Sequence, residues 1–476
     1  MAAEVLAGGQ TAAELAAGAQ TAEAQTTATR VAAGLATGSV VAAQPGTVVG
    51  NATFVEGGLG AVKGLRCAGV SAGFRRNPAR RDLALVVTEK PAVATGVFTR
   101  NRFCAAPVVL SRQHLAQLAM DDVEAPAPDT GARAIVLNSG NANAATGEPG
   151  MQSAVESARI VAEHVGCKPH QVLVASTGVI GAPFAAEPFI TGVPLALAEL
   201  GAADGTAHAS GLAAAAAIMT TDTHPKQAAV TFTATQSDGV EVTYTIGGMV
   251  KGSGMIQPDM ATLLGVLATD LWLTQEAAEL ALRQVMDVTL NKVTIDSDTS
   301  TNDTVYLLAT GGTEGKTINP TCPLFEPFVS ALRVLCEDLA RQIAADGEGA
   351  TRLITVNVTG AADDTQADLA ARAVANSPLV KTAVAGHDAN WGRIAMAIGK
   401  SGAAFRQEDV NISIMGLSVC EGGLTVPFDE DEALRRFEEY TEIVIDVGLG
   451  AGEGRARLWT CDLTHDYIAI NGDYRT

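Results

Sequence analysis

Aromatic residues make up only 4% of this 476-residue chain, and the first of them is Phe54. Residues 1–47 are rich in Ala, Thr, Gly and Gln. Such a segment has little to bury and is expected to be a disordered, dispensable tail. Its one base is Arg30, against Glu4, Glu14 and Glu23, and no basic start precedes a compact apolar core. It therefore resembles neither a secretory signal nor a transit peptide, and a cytoplasmic protein is expected. Long apolar runs are missing too. The stretch 211–219 is short and Ala-rich, well under the roughly 20 residues a bilayer needs. Bases are scarce: 32 against 52 acids, a formal charge of −20. That excludes the basic footprint of a nucleic-acid binder. The seven cysteines (Cys67, Cys104, Cys167, Cys322, Cys336, Cys420 and Cys461) include no CxxC pair, so they read as free thiols of a reducing compartment. The seven histidines lack HxxxH and HExxH spacing, and no metal site is expected. No P-loop or GxGxxG follows a strand.

What remains is a chain long enough for two domains or one large composite, with 47% hydrophobic residues. From Val48 onward it reads as mixed α/β. Residues 134–137 are an apolar run ending at Asn138-Ser139-Gly140, and 172–175 repeat the pattern before Ser176-Thr177-Gly178. Helical spacing over 151–165, closed by Gly166, predicts strand, helix, strand. Residues 230–246 predict a hairpin around Ser237-Asp238-Gly239. Phe328, Leu332, Leu335, Leu339 and Ile343 form one stripe of an amphipathic helix over 327–345, and 353–359 alternates as a strand. The acidic, Pro-containing segment 121–130 reads as a surface insertion. The last residues read as a final strand and a tail.

Several polar segments carry candidate chemistry. Lys251-Gly-Ser-Gly-Met-Ile-Gln-Pro-Asp-Met-Ala-Thr262 joins a glycine run, one lysine and a small-residue pair, Ala261-Thr262, ahead of an apolar run. Thr262 is either a structural strand starter or a nucleophile. In the second reading its hydroxyl attacks the preceding carbonyl, the chain is cut, and the new α-amine serves as base for the same hydroxyl. An acyl-enzyme needs oxyanion donors, and the turn Ser176-Thr177-Gly178 can supply backbone N–H groups. Met219-Thr220-Thr221-Asp222-Thr223-His224 clusters hydroxyls about a carboxylate, or caps a helix. Glu348 lies between two glycines, as a site acid or a solvated turn. Trp391, in the polar loop 386–393, is either a structural plug or a site wall.

Together these segments resemble the ornithine acetyltransferase family, bifunctional glutamate N-acetyltransferases and amino-acid acetyltransferases, from about Gly57 to Thr476. The resemblance rests on an ordered set: Gly96-Val-Phe-Thr, Asn138-Ser-Gly-Asn-Ala-Asn143, Ser176-Thr-Gly-Val-Ile180, Met219-Thr-Thr-Asp-Thr223, Lys251-Gly-Ser-Gly-Met-Ile256, Met260-Ala-Thr262, Asp346-Gly-Glu-Gly-Ala-Thr351, Asn390-Trp-Gly-Arg393, and Asn471 with Thr476. It implies an α/β (α+β) sandwich, sheets flanked by helices with the threonine at the centre. It implies cleavage between Ala261 and Thr262, giving an α chain (48–261) and a β chain (262–476), commonly assembled as α2β2 or a larger oligomer. Thr262 is then the nucleophile, and Thr177 and Gly178 form the oxyanion hole. Lys251, Thr262, Glu348, Asn471, Thr476 and either Thr220 or Thr221 bind substrate. Lys251 suits an α-carboxylate; Glu348 faces either the cationic side chain of ornithine or the α-amine. The implied reaction is a ping-pong acetyl transfer from N2-acetyl-L-ornithine to L-glutamate in arginine biosynthesis. No cofactor is implied, although acetyl-CoA is a co-substrate of many members. No nucleic acid or membrane partner is implied. His387-Asp388-Ala389 departs from the Glu-Asp-Pro of many relatives, which is expected to loosen that loop. An amidohydrolase using the same threonine, and an uncleaved binding protein, are the competing readings.

Overall fold

The computed structural model describes residues 42–120, 131–201, 206–235, 239–257 and 263–473. Most of the tail, the acidic insertion, Ser237 and Asp238, the Ala261-Thr262 junction and Thr476 lie outside the described residues.

The first part of the chain supplies strands β1 (Val48–Val49), β2 (Ala52–Val55), β3 (Leu65–Val70), β4 (Leu83–Phe98), β5 (Ala132–Asn141), β6 (Val172–Val179), β7 (Lys226–Thr235), β8 (Glu241–Lys251), β9 (Leu264–Thr269) and β10 (Thr304–Ala309). Its helices are α1 (Ala106–Met120), α2 (Gly147–Val165), α3 (Glu187–Gly201), α4 (Ala207–Ala217), α5 (Gln275–Val288) and α6 (Phe325–Ala345). The sheet order is β1-β2-β7-β8-β9-β10-β4-β5-β6, with β3 also on β4. Strand β4 belongs to two leaves: residues 83–88 pair with β3 and 93–98 with β10.

Period-2 alternation sorts the side chains into layers. Ile135, Leu137 and Leu173 of one leaf pack between the leaves on Val266, Tyr306 and Leu308 of the other. Tyr306 also donates its hydroxyl across to Val174 O at 2.8 Å. The intervening residues face outward: Val136 and Val174 against α2 and α3, Val305 and Leu307 against α5 and α6. The result is helix, sheet, sheet, helix, the sandwich expected. The stripe Phe328, Leu332, Leu335, Leu339 and Ile343 of α6 is fully buried. Each such side chain contributes about 1.5–3 kcal/mol, and truncating one to alanine costs about 2–5 kcal/mol.

The remainder forms a six-stranded sheet with β11 (Leu353–Ala361), β12 (Asn411–Ile414), β13 (Leu417–Glu421), β14 (Leu424–Thr425), β15 (Glu442–Gly448) and β16 (Gly454–Cys461), ordered β14-β13-β12-β15-β11-β16. Helices α7 (Asp364–Ala375), α8 (Pro378–Ala385), α9 (Trp391–Gly399) and α10 (Glu430–Glu439) cover one face. The other face meets α6, where Arg341 grips Glu442 through two bonds of 2.9 Å. Helix α11 (His465–Gly472) ends the described chain.

Two expectations need correction, and one open alternative is decided. β5 and β6 do not stop at their apolar runs. They continue through Asn138-Ser139-Gly140 and Ser176-Thr177-Gly178, because those triplets pair with each other in parallel register. The C-terminal residues form a helix, not a strand: Thr464 caps it by accepting from Asp466 N at 3.2 Å, and Tyr467 binds Asp296. Trp391 opens α9, capped by Asn390, and packs on the core of the six-stranded sheet. It plugs that core and is not among the described residues that line the cavity below, so the His387 departure concerns that core too; His387 stacks on Phe437 there, centroids 5.8 Å apart.

Candidate active site

The two leaves of the sandwich open at the end where β6 and β8 finish and β9 and β10 begin. A cavity of about 270 Å³ lies there. Its wall includes Thr177 and Gly178 from the end of β6, Lys251 from the end of β8, and Thr220 and Thr221 from the loop after α4. Glu348 from the turn after α6 and Asn471 from α11 complete this set. Seven residues singled out from sequence thus meet in one place, from segments nearly 300 residues apart. Both Thr220 and Thr221 line the cavity, so the structure does not separate them. Leu263 and Leu264 also line it, and Thr262 immediately precedes Leu263 in the chain.

Register explains why Lys251 belongs to this end. In the antiparallel β8–β9 pair it stands opposite Leu264. Gly178 has φ +135°, and a Cβ there would lie 2.3 Å from Gly140 C. Only glycine permits this approach of β6 to β5. Gly254 is constrained by the acid itself, since a Cβ would fall 2.3 Å from Glu348 Oε2. Glu348 is therefore no solvated turn acid: it is 7% exposed, its N–H donates to Ser253 O at 2.8 Å, and its Oε2 accepts from Asn471 Nδ2 at 2.7 Å.

Beneath the cavity a buried charge cluster ties these loops together. Lys226 Nζ donates to Asp222 Oδ1 at 2.7 Å and also binds Asp346 Oδ2. Asp222 accepts from Gly252 N at 2.8 Å and Thr220 N at 2.9 Å. Ser253 Oγ donates to Asp346 O at 2.7 Å. The Thr220, Lys251 and Glu348 loops thus share one anchor. Burial opposes ionisation of Asp222, but the ammonium groups of Lys226 and Lys251 and the hydrogen bonds from Lys226 and Thr220 outweigh it and hold its carboxyl well below the usual range. Burial pushes the Lys251 ammonium down, with Asp222 as the main opposing attraction.

Sequence reasoning passed over Ser300, Thr301, Asn302 and Asp303, which form another part of the wall. Asn302 Nδ2 donates to Ala142 O and, at 2.8 Å, to Ser176 O. It clamps the strand end that carries Thr177 and Gly178. The signal was present: a dense polar run directly before the apolar strand 305–309 has the same pattern as 176–178 after 172–175.

Among the described residues there is no cluster of His, Cys, Asp and Glu suited to a metal, no helix is long and apolar enough to cross a membrane, and the seven cysteines are free.

The model of the ArgJ family matches residues 66–476. The chain belongs to the ArgJ family. Among curated relatives, the "Arginine biosynthesis bifunctional protein ArgJ" of Symbiobacterium thermophilum is 45% identical over 425 residues, 89% of this chain and 100% of its own. That of Thermosynechococcus vestitus is 42% identical over 442 residues, 89% of this chain and 99% of its own. Among solved structures, the ArgJ protein of Bacillus halodurans is 44% identical and covers 44% of this chain and 98% of its own, with a TM-score of 0.43. Membership of the family makes this chain a bifunctional enzyme of the acyltransferase class, placed in arginine biosynthesis.

Proposed function

We propose that this ArgJ-family chain transfers acetyl from N2-acetyl-L-ornithine to L-glutamate through an acetyl ester on Thr262, after cutting itself between Ala261 and Thr262. The observation that carries the reading is the single cavity shared by Thr177, Gly178, Thr220, Thr221, Lys251, Glu348 and Asn471 at the start of β9.

The chemistry follows from the groups present. The Thr262 hydroxyl gives its proton to the Thr262 α-amine and attacks the acetyl carbonyl. The oxyanion is met by donors at Thr177 and Gly178. The departing α-nitrogen takes the proton, and ornithine leaves. Glutamate enters the same site, its amine attacks the ester, and N-acetylglutamate leaves. Lys251 holds the α-carboxylate of either amino acid. Glu348, steadied by Asn471, meets a cationic nitrogen, and Thr476 and one of Thr220 and Thr221 complete the binding set. Acetyl-CoA serves as a second donor to the same Thr262, with no resident cofactor. The enzyme works in the cytoplasm.

Cleavage leaves one folded unit. The cut falls between β8 and β9, neighbours in the sheet, and the β9–β10 pair of the C-terminal chain lies between β8 and β4 of the N-terminal chain. The chains 48–261 and 262–476 remain interleaved and assemble as α2β2. The test is an acetyl-transfer assay. Consumption of N-acetylornithine should depend on glutamate and yield N-acetylglutamate. Release of free acetate at the same rate without glutamate would make the enzyme an amidohydrolase.

A further inference from the structure

The Glu348 carboxylate is bracketed from two sides. The cavity-lining loop 254–256 touches it on one, where a Cβ on Gly254 would fall 2.3 Å from Glu348 Oε2. On the other, Asn471 Nδ2 of α11 donates to the same oxygen at 2.7 Å. Neither bracket holds itself in place. Met255 has φ +55°, a left-handed backbone that a non-glycine residue keeps only where its surroundings fix it. Helix α11 buries none of its residues, so polar contacts seat it.

Both brackets lead to one carboxylate, Asp296. Its Oδ2 accepts from Met255 N at 2.6 Å, and its Oδ1 accepts from Ile256 N at 2.9 Å and Asp298 N at 3.3 Å. The Tyr467 hydroxyl donates to the same Oδ2 at 3.2 Å. Tyr467 stands one helical turn before Asn471, whose Nδ2 also donates to Tyr467 O at 3.0 Å. Burial and the neighbouring carboxylates, Asp296 first, push the Tyr467 hydroxyl up, so it stays protonated and donates. The backbone before Asp296 is itself fixed: Ile295 N donates to Ile256 O at 2.7 Å, and Ile295 O accepts from the buried Lys381 Nζ at 2.8 Å. The start of α11 is tied separately, Thr464 Oγ1 donating to Gly349 O at 2.7 Å. The Tyr467 bond therefore governs the later turn, which carries Asn471.

We infer that Asp296 is a positioning residue for the substrate site, the one carboxylate that sets both walls holding Glu348 in place: Met255 and Ile256 directly, and Asn471 through Tyr467. Asp296 acts through these neighbours and touches no substrate. The kinetic consequence rests on the reading of Glu348 under Proposed function.

The experiment has two arms on the full-length enzyme. The first is a double-mutant cycle with Tyr467→Phe, Glu348→Gln and the double variant. Tyr467→Phe should raise KM for N-acetylornithine about tenfold, the loss of one hydrogen bond to a charged group, with kcat changed less than about threefold. In the Glu348→Gln background the same substitution should change KM less than about twofold. An unchanged KM in Tyr467→Phe, or effects that multiply in the double variant, overturns the proposal. The second arm needs no substrate: amide hydrogen exchange read by mass spectrometry. Asp296→Asn should speed exchange at Met255 and Ile256 and along α11 together, by about threefold or more, and Tyr467→Phe along α11 alone. Faster exchange in only one of the two segments of Asp296→Asn overturns the shared anchor. If Asp296→Asn fails to fold, Tyr467→Phe still decides through the kinetic arm, because it removes one hydroxyl from a helix that buries nothing. A wild type that transfers no acetyl sinks the functional reading and leaves the exchange arm to test Asp296.

Discussion

Lys226 Nζ and Asp222 Oδ1 lie 2.7 Å apart with both side chains fully shielded from solvent. Asp346 accepts a second hydrogen bond from the same ammonium, so one lysine bridges two carboxylates that anchor three loops of the site. Removing one partner from such a cluster strands the others. Lys226→Met should lower stability on the order of 3–5 kcal/mol, read as a fall in the denaturation midpoint. A variant as stable as the parent would remove the cluster from its anchoring role.

Gly178 sits where a side chain would strike Gly140. Gly178→Ala should move the β6 end and its N–H groups, lowering kcat about a hundredfold to a thousandfold with a smaller effect on KM. Full activity in this variant would exclude Gly178 as an oxyanion donor.

Much of this arrangement is readable along the chain. The α6 stripe shows as helical spacing, and the small residues about Lys251 and Thr177 show where backbones must approach. What misled was polarity used as an end signal. Asn138 and Ser176 look like loop residues, yet the Ser176 hydroxyl donates to Asn138 Oδ1 at 2.7 Å across the strand pair, so polar side chains satisfy one another inside the sheet. The C-terminal helix escaped because it is held by remote partners, Asp296 and Glu348.

The Asn471–Glu348 bond joins that helix to the cavity. Asn471→Ala should raise KM about tenfold, the value of one hydrogen bond to a charged group, with little change in melting temperature because Asn471 is exposed on a surface helix. An unchanged KM would leave Glu348 positioned without it.

Asp338 on α6 accepts from Ala43 N at 2.8 Å and Gln342 Nε2 at 2.7 Å, and burial raises its carboxyl to about 6. Between the ordinary value of 3.8 and about 6, the folded state keeps a proton that the unfolded state has lost. Stability should therefore fall as pH rises through this window, by up to about 3 kcal/mol, and then level off. Asp338→Asn should flatten that slope in denaturation curves taken from about pH 4 to 7. An unaltered slope would assign the pH dependence elsewhere.

The most direct measurement of the central claim is intact mass spectrometry of the purified protein, before and after incubation with N-acetylornithine alone. The account predicts two chains divided between Ala261 and Thr262, with the C-terminal chain gaining the mass of one acetyl group and losing it when glutamate is added. A single uncut chain that takes up no acetyl group would contradict it.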